Sequence, residues 1–553
     1  MSLKPTAEVV GVDPRYQWEF PLPNSGRPAR KIRSVWYLGL PLTSAHRGGH
    51  SGGGPLLEGV HGQERYRNEG TVYPHAALVE MLTYQEAYLP DVAWRYIDLS
   101  HTTWDDVKAA IADDPPDVAA ITVYTVTTLW AFIVAAEIKR VNPHAVVIFG
   151  NDHAGVLYQE ILTGEYGRRL VDFVSTGNNA PYTMLGLLHA LRGQLDLERV
   201  PSLAYRSNGR VVNNPAPTFP LNRRILPDYR LIEDYLEHHY DRAFDLWYSH
   251  HYRLKRMVTM PLDGGCNWGS RPGRRCRHCA IQGLTPKTTD VAAAIPVLET
   301  VVGELGANVY AAGDSTLGFS TGQWGDSSTY LNEMAEACAR SPVLSKHRFM
   351  LAYGLVYEFL QTAPLCKGFV RTWNVGLEAF DPRLLKDDSK GINRDAERIY
   401  EALELARSLD YRLYISGILG LPGTTVAKLR KEVDDWLKMA ETYRDLITTV
   451  SIAPPGLIPG SRMYWDAFSD YREVRTWHGE TLPARRLTEL YVRRTTEVEL
   501  ADVEAAIDDI GRGVIALGRG RGEMKFGGHM LGGRDAEEAA ERRLLDAICE
   551  SLS

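Results

Sequence analysis

Several features are scarce or absent in this sequence, and each absence argues against a class of protein. No apolar run is long enough to span a membrane, because the longest apolar-leaning window, residues 122–138, is too short and is rich in hydroxyl groups. The net charge is −7 and no long basic run occurs, so we expect neither a nucleic-acid nor a membrane partner. The N-terminus lacks an apolar signal segment, which predicts a cytoplasmic protein in a reducing compartment.

Cysteine is also scarce, with six among 553 residues, and none precedes residue 266. Three of them fall within residues 261–283, PLDGGCNWGSRPGRRCRHCAIQG. These three are Cys266, Cys276 and Cys279. In a reducing compartment, clustered cysteines indicate a metal site or catalysis more often than disulfides.

Thiolate ligands suit zinc and iron–sulfur clusters. A structural zinc site normally takes four protein ligands, so it would need His278 or a distant cysteine besides the three. A [4Fe–4S] cluster held by three cysteines would instead leave one iron open to another ligand. The remaining cysteines stand alone in apolar contexts, which predicts buried packing residues. They are Cys338, Cys366 and Cys549.

The first third of the chain alternates strand-like and helix-like segments, which predicts a parallel sheet covered on both faces. The predicted strands are residues 34–42, 93–100, 117–126, 144–150 and 172–177. Ligands of such sheets bind at the carboxyl ends of the strands. The segments there, HRGGHSGGG, TVYTVTT, GNDHAG and TGNNAP, are rich in glycine and small polar residues, which favours a cofactor site.

A chain of 553 residues is too long for one core, and four regions are predicted. Residues 1–200 form the α/β domain, and the Pro-rich and then aromatic segment 201–255 is a connector. Residues 256–460 alternate again and predict half to most of a β/α barrel, while residues 461–553 predict a mainly helical C-terminal region. The predicted barrel strands are residues 308–313, 348–355, 371–378, 411–420 and 446–454.

A cysteine loop placed just before a β/α barrel resembles the radical S-adenosylmethionine (SAM) superfamily. The segments VVIFGNDHAG and VDFVSTGNNAPYTMLGLLHAL resemble the last two βα units of a cobalamin-binding domain, and VPSLAYRSNGRVVNNP resembles the hairpin that follows it. AAGDST, VGLEAFDPRLLKDDSKGIN, GILGLPGTT and APPGLIPGS resemble successive strand ends of the radical SAM barrel. The resemblance covers residues 30–460 and is closest to the cobalamin-dependent branch. It implies a Rossmann-like cobalamin-binding domain followed by a partial, TIM-like barrel.

The resemblance also implies a set of site residues, although it assigns no catalytic side chain. The implied cluster ligands are Cys266, Cys276 and Cys279. The implied SAM contacts are His278, Gly313, Asp314, Glu378, Gly417 and Gly420. The implied cobalamin contacts are Thr125, Gly150, Asn151, Gly177 and Asn178.

The sequence departs from the family pattern in three places. The cysteines are spaced C-x9-C-x2-C where C-x3-C-x2-C is commonest, but a longer loop costs little entropy to close. His278 stands where an aromatic residue usually precedes the last cysteine. The motif D-x-H-x-x-G, which supplies a histidine to cobalt, is missing. His46 and His50 lie on the first loop and could approach the metal, but we expect no histidine on the lower face of the cobalt.

The implied function is a methyltransferase that uses a [4Fe–4S] cluster, SAM and methylcobalamin to methylate an unactivated carbon of a small molecule, as in antibiotic biosynthesis. An external electron donor such as flavodoxin or ferredoxin is expected. Rearrangement or cyclisation with the same cofactors, and methylation of an aromatic carbon or phosphorus, stay open as alternatives. A tRNA methylthiotransferase is disfavoured, because such enzymes carry further cysteines in the N-terminal domain. A zinc-stabilised binding protein is the remaining alternative.

Overall fold

The computed structural model describes most of the chain, in the following ranges. They are residues 30–40, 74–99, 102, 104–177, 180–215, 225–240, 256–264, 276–280, 287–311, 326–353, 359–360, 362–387, 396–518, 525–528 and 535–552. Within these ranges, no helix combines the length and the apolar character that crossing a bilayer requires.

The N-terminal half contains a seven-stranded sheet whose first five strands are parallel. The strands are β1 (Ser34–Gly39), β2 (Ala93–Asp98), β3 (Val118–Thr122), β4 (Val146–Gly150), β5 (Phe173–Ser175), β6 (Leu203–Ser207) and β7 (Arg210–Asn213). Their order is β2-β1-β3-β4-β5-β6-β7, and the pairs β5–β6 and β6–β7 are antiparallel. The order 2-1-3-4-5 is that of flavodoxin-like doubly wound sheets. The five predicted strands and the following hairpin are therefore confirmed.

Helices cover both faces of this sheet. They are α1 (Ala76–Tyr88), α2 (Trp104–Asp113), α3 (Thr128–Val141), α4 (Asp152–Val156), α5 (Tyr158–Thr163), α6 (Gly167–Leu170) and α7 (Ala180–Leu191). Alternate side chains of β1 point to opposite faces of the sheet and join different core clusters. Val35 and Tyr37 join the core cluster that includes α1 and α7, whereas Trp36 and Leu38 join the cluster that includes α3. Both faces are buried, which explains why the strands read as continuous apolar runs.

The second sheet is parallel throughout and forms half of a barrel. Its strands are β8 (Arg256–Met260), β11 (Ala307–Ala311), β12 (Phe349–Tyr353), β13 (Val370–Glu378), β14 (Arg412–Ile418), β15 (Ile447–Ala453) and β16 (Lys525–Gly528). Between β8 and β11, the short strands β9 (Asp263–Gly264) and β10 (Lys287–Thr288) form an antiparallel pair. The helices that connect the strands are α8 (Val291–Gly303), α9 (Asp326–Arg340), α10 (Pro382–Asp387), α11 (Ala396–Ser408) and α12 (Val426–Thr442). The predicted mixed α/β class with a partial barrel is confirmed.

Short helical turns complete these two parts of the chain. Three-ten turns lie at Thr125–Thr127, Leu197–Arg199, Leu344–Lys346 and Ala363–Cys366. In the predicted connector, the chain forms one helical segment from Tyr229–Ile232, Glu233–Tyr235 and Leu236–Tyr240.

The C-terminal region is helical but also completes the barrel sheet. Its helices are α13 (Arg462–Asp470), α14 (Arg472–Trp477), α15 (Ala484–Thr495), α16 (Leu500–Gly518) and α17 (Asp535–Glu550). The strand β16 pairs in parallel with β15, so the prediction of a mainly helical tail missed one strand. Helix α17 lies against the first sheet's helix α3, where the Trp130 Nε1–H donates a 3.0 Å hydrogen bond to Glu541. The tail therefore contacts both sheets.

Candidate functional site

The cysteine segment begins where the first barrel strand ends. β8 ends at Met260, and Cys276 and Cys279 are half-buried in one turn, in which the Cys279 N–H donates to the Cys276 carbonyl at 3.3 Å. His278 is half-buried in the same turn. Cys266 lies outside the described residues, so the structure brings together two of the three predicted ligands. The carboxyl ends of barrel strands are where cofactors and substrates bind in this architecture.

The three isolated cysteines have the buried positions that the sequence predicted. Cys338, Cys366 and Cys549 have at most 3% of their surface exposed. Burial raises the pKa of the Cys338 thiol to about 12 and raises the pKa of Cys366 further. A thiol that stays protonated is a poor metal ligand, so these side chains act as apolar packing groups.

Glu378 ends the central barrel strand β13 in a constrained conformation. Its φ angle is +67°, which is uncommon for a residue with a side chain, and only 6% of its surface is exposed. The pairing of β13 with β14 shifts register between Gly376 and Glu378, so that Glu378 pairs with Gly417. Strained backbone of this kind is commonest at functional sites. The contact of Glu378 with ribose stays a prediction.

Gly417 and Gly420 are required by the fold for reasons that the sequence did not show. A Cβ atom on Gly417 would overlap the Trp436 ring and would lie 3.1 Å from the Glu378 carbonyl oxygen. Gly420 has a φ angle of +86°, where a side chain is disfavoured. The packing of Trp436 and the turn at Gly420 therefore each call for glycine, and the predicted contacts with adenine stay predictions. Gly313 and Asp314, which follow β11, lie outside the described residues.

Sequence reasoning missed a buried carboxylate beneath the Glu378 turn. Glu432 on α12 accepts hydrogen bonds from the Phe380 N–H at 3.0 Å and from the Asp381 N–H at 2.8 Å. Burial raises the pKa of Glu432 to about 7, although the two N–H donors oppose that rise. The Phe380 ring also packs edge-on against Trp436, with 5.3 Å between ring centroids. Helix α12 thus holds the turn that follows Glu378.

The predicted cobalamin contacts lie on three neighbouring strands of the first sheet. Thr125 follows β3, Gly150 ends β4 and is followed by Asn151, and Gly177 follows β5. Because β3, β4 and β5 are parallel neighbours, their carboxyl ends form one edge. Asn151 has a φ angle of +82° and its side chain accepts the Asp152 N–H at 2.7 Å. The fifth predicted contact, Asn178, lies outside the described residues.

His153 belongs to this edge but faces inward. Its Nδ1 atom is 3.1 Å from the Thr125 hydroxyl and its Nε2 atom is 3.3 Å from the Thr128 hydroxyl. Burial lowers the pKa of His153 to about 4, so the ring is neutral at physiological pH. Both ring nitrogens of His153 are therefore engaged by threonine hydroxyl groups within the fold. The other histidines considered for cobalt, His46 and His50, lie outside the described residues.

A second buried polar cluster was not predicted, and it joins the connector to the first sheet. Asp98 ends β2 and accepts a hydrogen bond from the Tyr240 hydroxyl, while its carbonyl accepts one from Tyr235 at 3.0 Å. His75 lies against Gly39 at the end of β1, with its Nε2 atom 3.7 Å from the Asp98 carboxylate. Burial lowers the pKa of His75 and the Asp98 charge opposes that shift. Only the aromatic, histidine-rich composition of the connector hinted at this contact.

A cleft of about 660 Å³ lies away from the predicted site residues. Its lining comes from residues 160–164, 476–486 and 538–542. The Glu480 carboxylate in its wall accepts the N–H groups of Tyr166 and Gly167 at 2.9 Å and 2.7 Å. His478 in the same wall hydrogen-bonds to Tyr464 and Glu160. These side chains are used in joining the C-terminal region to the first domain, so the cleft gives no indication of a ligand.

Comparison with known proteins identifies the fold. No protein-family model and no curated protein matches the sequence. The solved structure of the radical SAM methyltransferase TsrM from Kitasatospora setae, with cobalamin and a [4Fe–4S] cluster bound, aligns with 94% of this chain and 100% of its own, at 15% identity and a TM-score of 0.58. TsrM with tryptophan and a SAM analogue aligns with 79% of this chain and 76% of its own, at 17% identity and a TM-score of 0.54.

The cobalamin-dependent radical SAM enzyme OxsB, with aqua-cobalamin bound, aligns with 88% of this chain at 15% identity and a TM-score of 0.55. The chain spans 61% of the length of OxsB. The fold is therefore that of cobalamin-dependent radical SAM enzymes, and the predicted resemblance is confirmed at the level of the fold. Identities this low carry no site residue, substrate or activity from these proteins to this chain.

Proposed function

We propose that this protein is a cobalamin-dependent radical SAM methyltransferase, which transfers a methyl group from SAM through methylcobalamin to an unactivated carbon of a small molecule. The proposal depends on one observation: residues suited to these cofactors follow the strand ends of a fold that such enzymes share. A C-x2-C turn follows the first strand of a half barrel, and a doubly wound sheet presents small polar residues on one edge. Both features occur in a chain with the fold of enzymes that use these cofactors.

The cysteine turn fits a thiolate-bound cluster as far as the described residues extend. Cys276 and Cys279 share one half-buried turn, and Cys266 is proposed as the third ligand. When bound, the cluster supplies the electron that cleaves SAM, and cobalamin supplies the methyl group that is transferred. The protein itself binds these groups, holds them in fixed relative positions and excludes water.

At the carboxyl ends of the barrel strands, we propose residues that contact the different parts of SAM. The buried Glu378 carboxylate would accept hydrogen bonds from ribose hydroxyls, and its turn is held rigid from α12. Gly313 and Asp314 would contact the methionine end of SAM, with His278 beside the cluster. Gly417 and Gly420 would lie near the adenine.

At the edge of the first sheet, small residues would let the corrin approach the backbone closely. The proposed contacts are Thr125, Gly150, Asn151, Gly177 and Asn178. His153 would keep the Thr125 hydroxyl in one orientation, because its neutral ring is fixed between two threonines.

The first test is cofactor loading followed by a reaction that needs no substrate. Protein purified without oxygen and reconstituted with iron, sulfide and hydroxocobalamin should contain a [4Fe–4S] cluster and cobalamin. On addition of dithionite and SAM it should release 5′-deoxyadenosine, and the triple variant Cys266→Ala, Cys276→Ala, Cys279→Ala should release none. Zinc in place of iron would favour a zinc-stabilised binding protein and would overturn the proposal.

Product analysis separates methyl transfer from the alternatives that share these cofactors. With SAM labelled in its methyl group, label in the product supports methylation, whereas an unlabelled isomer or ring supports rearrangement or cyclisation. Methylation of an aromatic carbon or phosphorus without hydrogen abstraction would leave turnover free of 5′-deoxyadenosine. Flavodoxin or ferredoxin is the proposed electron donor in place of dithionite.

A further inference from the structure

The residues that flank the cysteine segment on either side are paired with each other. The antiparallel pair β9–β10 brings Asp263 opposite Thr288, and the Thr289 N–H donates to the Leu262 carbonyl at 2.7 Å. The two ends of this segment, Gly264 and Lys287, are therefore paired with each other. Nine residues separate Cys266 from Cys276, so their spacing alone does not fix the orientation of the C-x2-C turn.

A second anchor acts directly on the turn, through the residue that follows Cys276. The Arg277 carbonyl accepts the Met463 N–H at 2.8 Å, and the Arg277 guanidinium lies 2.7 Å from the Asp466 carboxylate. Both partners come from helix α13 of the C-terminal region. The side chains of Arg277 and Asp466 are 24% and 37% exposed, so water screens their attraction only in part. Hydrogen bonds between charged groups are also stronger than those between neutral groups.

Helix α13 is itself held in place, which makes it a firm support for the turn. The Ser461 side chain caps its first turn by accepting the Tyr464 N–H at 3.1 Å. The buried side chains of Met463 and Ala467 pack in the core. The Tyr464 hydroxyl contacts His478, whose other ring nitrogen contacts Glu160 of the first domain.

We propose that Asp466 is a positioning residue: through its ion pair with Arg277 it holds the Cys276–Cys279 turn against α13, in the orientation in which these thiolates bind the cluster. The inference rests on the proposed function, since it assumes that the cysteines bind iron. In this inference helix α13 fixes the orientation of the C-x2-C turn, which the long cysteine spacing alone does not fix. It also links the cluster segment to the first domain through one continuous set of contacts.

The test measures the cluster itself, without turnover. Reconstituted wild type and Asp466→Ala are exposed anaerobically to an iron chelator, and the rate of iron release is followed by absorbance. We expect at least a fivefold faster release from Asp466→Ala, with a broadened EPR signal of the reduced cluster. Asp470→Ala, on the exposed last turn of the same helix, is the matched control and should release iron at the wild-type rate.

Charge reversal shows whether Asp466 acts through Arg277. Arg462 also lies 3.8 Å from the Asp466 carboxylate, so it is replaced by Gln in both proteins of this comparison. In that background the double variant Arg277→Asp with Asp466→Arg restores the attraction with the charges exchanged, and it should slow iron release at least twofold relative to Asp466→Ala. Equal release rates for wild type and Asp466→Ala would overturn the inference while leaving the proposed function intact. A wild-type protein that binds no iron would instead overturn the proposed function. Unfolding midpoints of the apoproteins identify any variant that fails to fold, in which case Asp466→Asn replaces it.

Discussion

Replacement of the buried carboxylate of Glu432 by glutamine should change how stability depends on pH. Burial raises the pKa of this group from 4.5 to about 7 in the folded protein. Nearby Asp381 and Asp435 raise it in the same direction, and Lys428 and Lys431 pair with these two aspartates. A carboxyl group whose folded pKa is raised binds its proton more tightly in the folded state. Its contribution therefore favours folding at low pH and is lost as pH rises through about 7.

The expected magnitude follows from the size of that shift. One pKa unit corresponds to about 1.4 kcal/mol, so a group moving from 4.5 to about 7 should cost about 2–3 kcal/mol of stability between pH 5 and pH 8. Glutamine does not titrate and keeps one oxygen to accept the N–H groups of Phe380 and Asp381. The Glu432→Gln variant should therefore gain about 2–3 kcal/mol relative to wild type as pH rises from 5 to 8.

Equilibrium urea unfolding of the two proteins, measured side by side at pH 5, 6, 7 and 8, tests this prediction. Glu441→Gln, at an exposed position on the same helix α12, is the control and should follow the wild-type pH dependence. A difference between wild type and Glu432→Gln that is the same at pH 5 and pH 8 would refute the reasoning. It would mean that Glu432 does not change its charge in this range.

Three further predictions concern the candidate site. Cys279→Ala should lower the iron content after reconstitution at least threefold, measured by a colorimetric iron assay, and iron at the wild-type level would rule Cys279 out as a ligand. Gly417→Ala should lower stability by about 1–3 kcal/mol, because the new methyl group overlaps the Trp436 ring, and an unchanged melting temperature would contradict this packing. His153→Ala should weaken hydroxocobalamin binding several-fold in a spectrophotometric titration, because the Thr125 hydroxyl loses its fixed partner, and unaltered affinity would remove that role.

The strands with strong local patterns were predictable from sequence, and those that depend on tertiary pairing were not. The apolar runs of β1, β3 and β4 are buried on both faces and were recognised as strands. The four residues of β16, KFGG, include two glycines and form a strand only because β15 pairs with them. No strand is predicted at β8, RMVTM, which pairs with β11, although the predicted barrel begins at its first residue.

In the candidate site, too, features set by local sequence were predictable and features set by tertiary contacts were not. The cysteine spacing and the glycine-rich strand ends are local patterns, so they could be read from the chain. Glu432 reaches the Glu378 turn across 52 residues of sequence, and Asp466 reaches Arg277 across 189. No local pattern marks such pairs. The packing of Gly417 against Trp436 likewise depends on a helix position that only the folded protein reveals.

The most direct measurement of the central claim is the EPR spectrum of the reduced, reconstituted protein recorded with and without SAM. The account predicts the signal of a [4Fe–4S] cluster that changes when SAM is added, since one iron is open to it. The spectrum should be lost when Cys266, Cys276 and Cys279 are replaced together. A signal that SAM leaves unchanged, or one that survives loss of the three cysteines, would contradict the account.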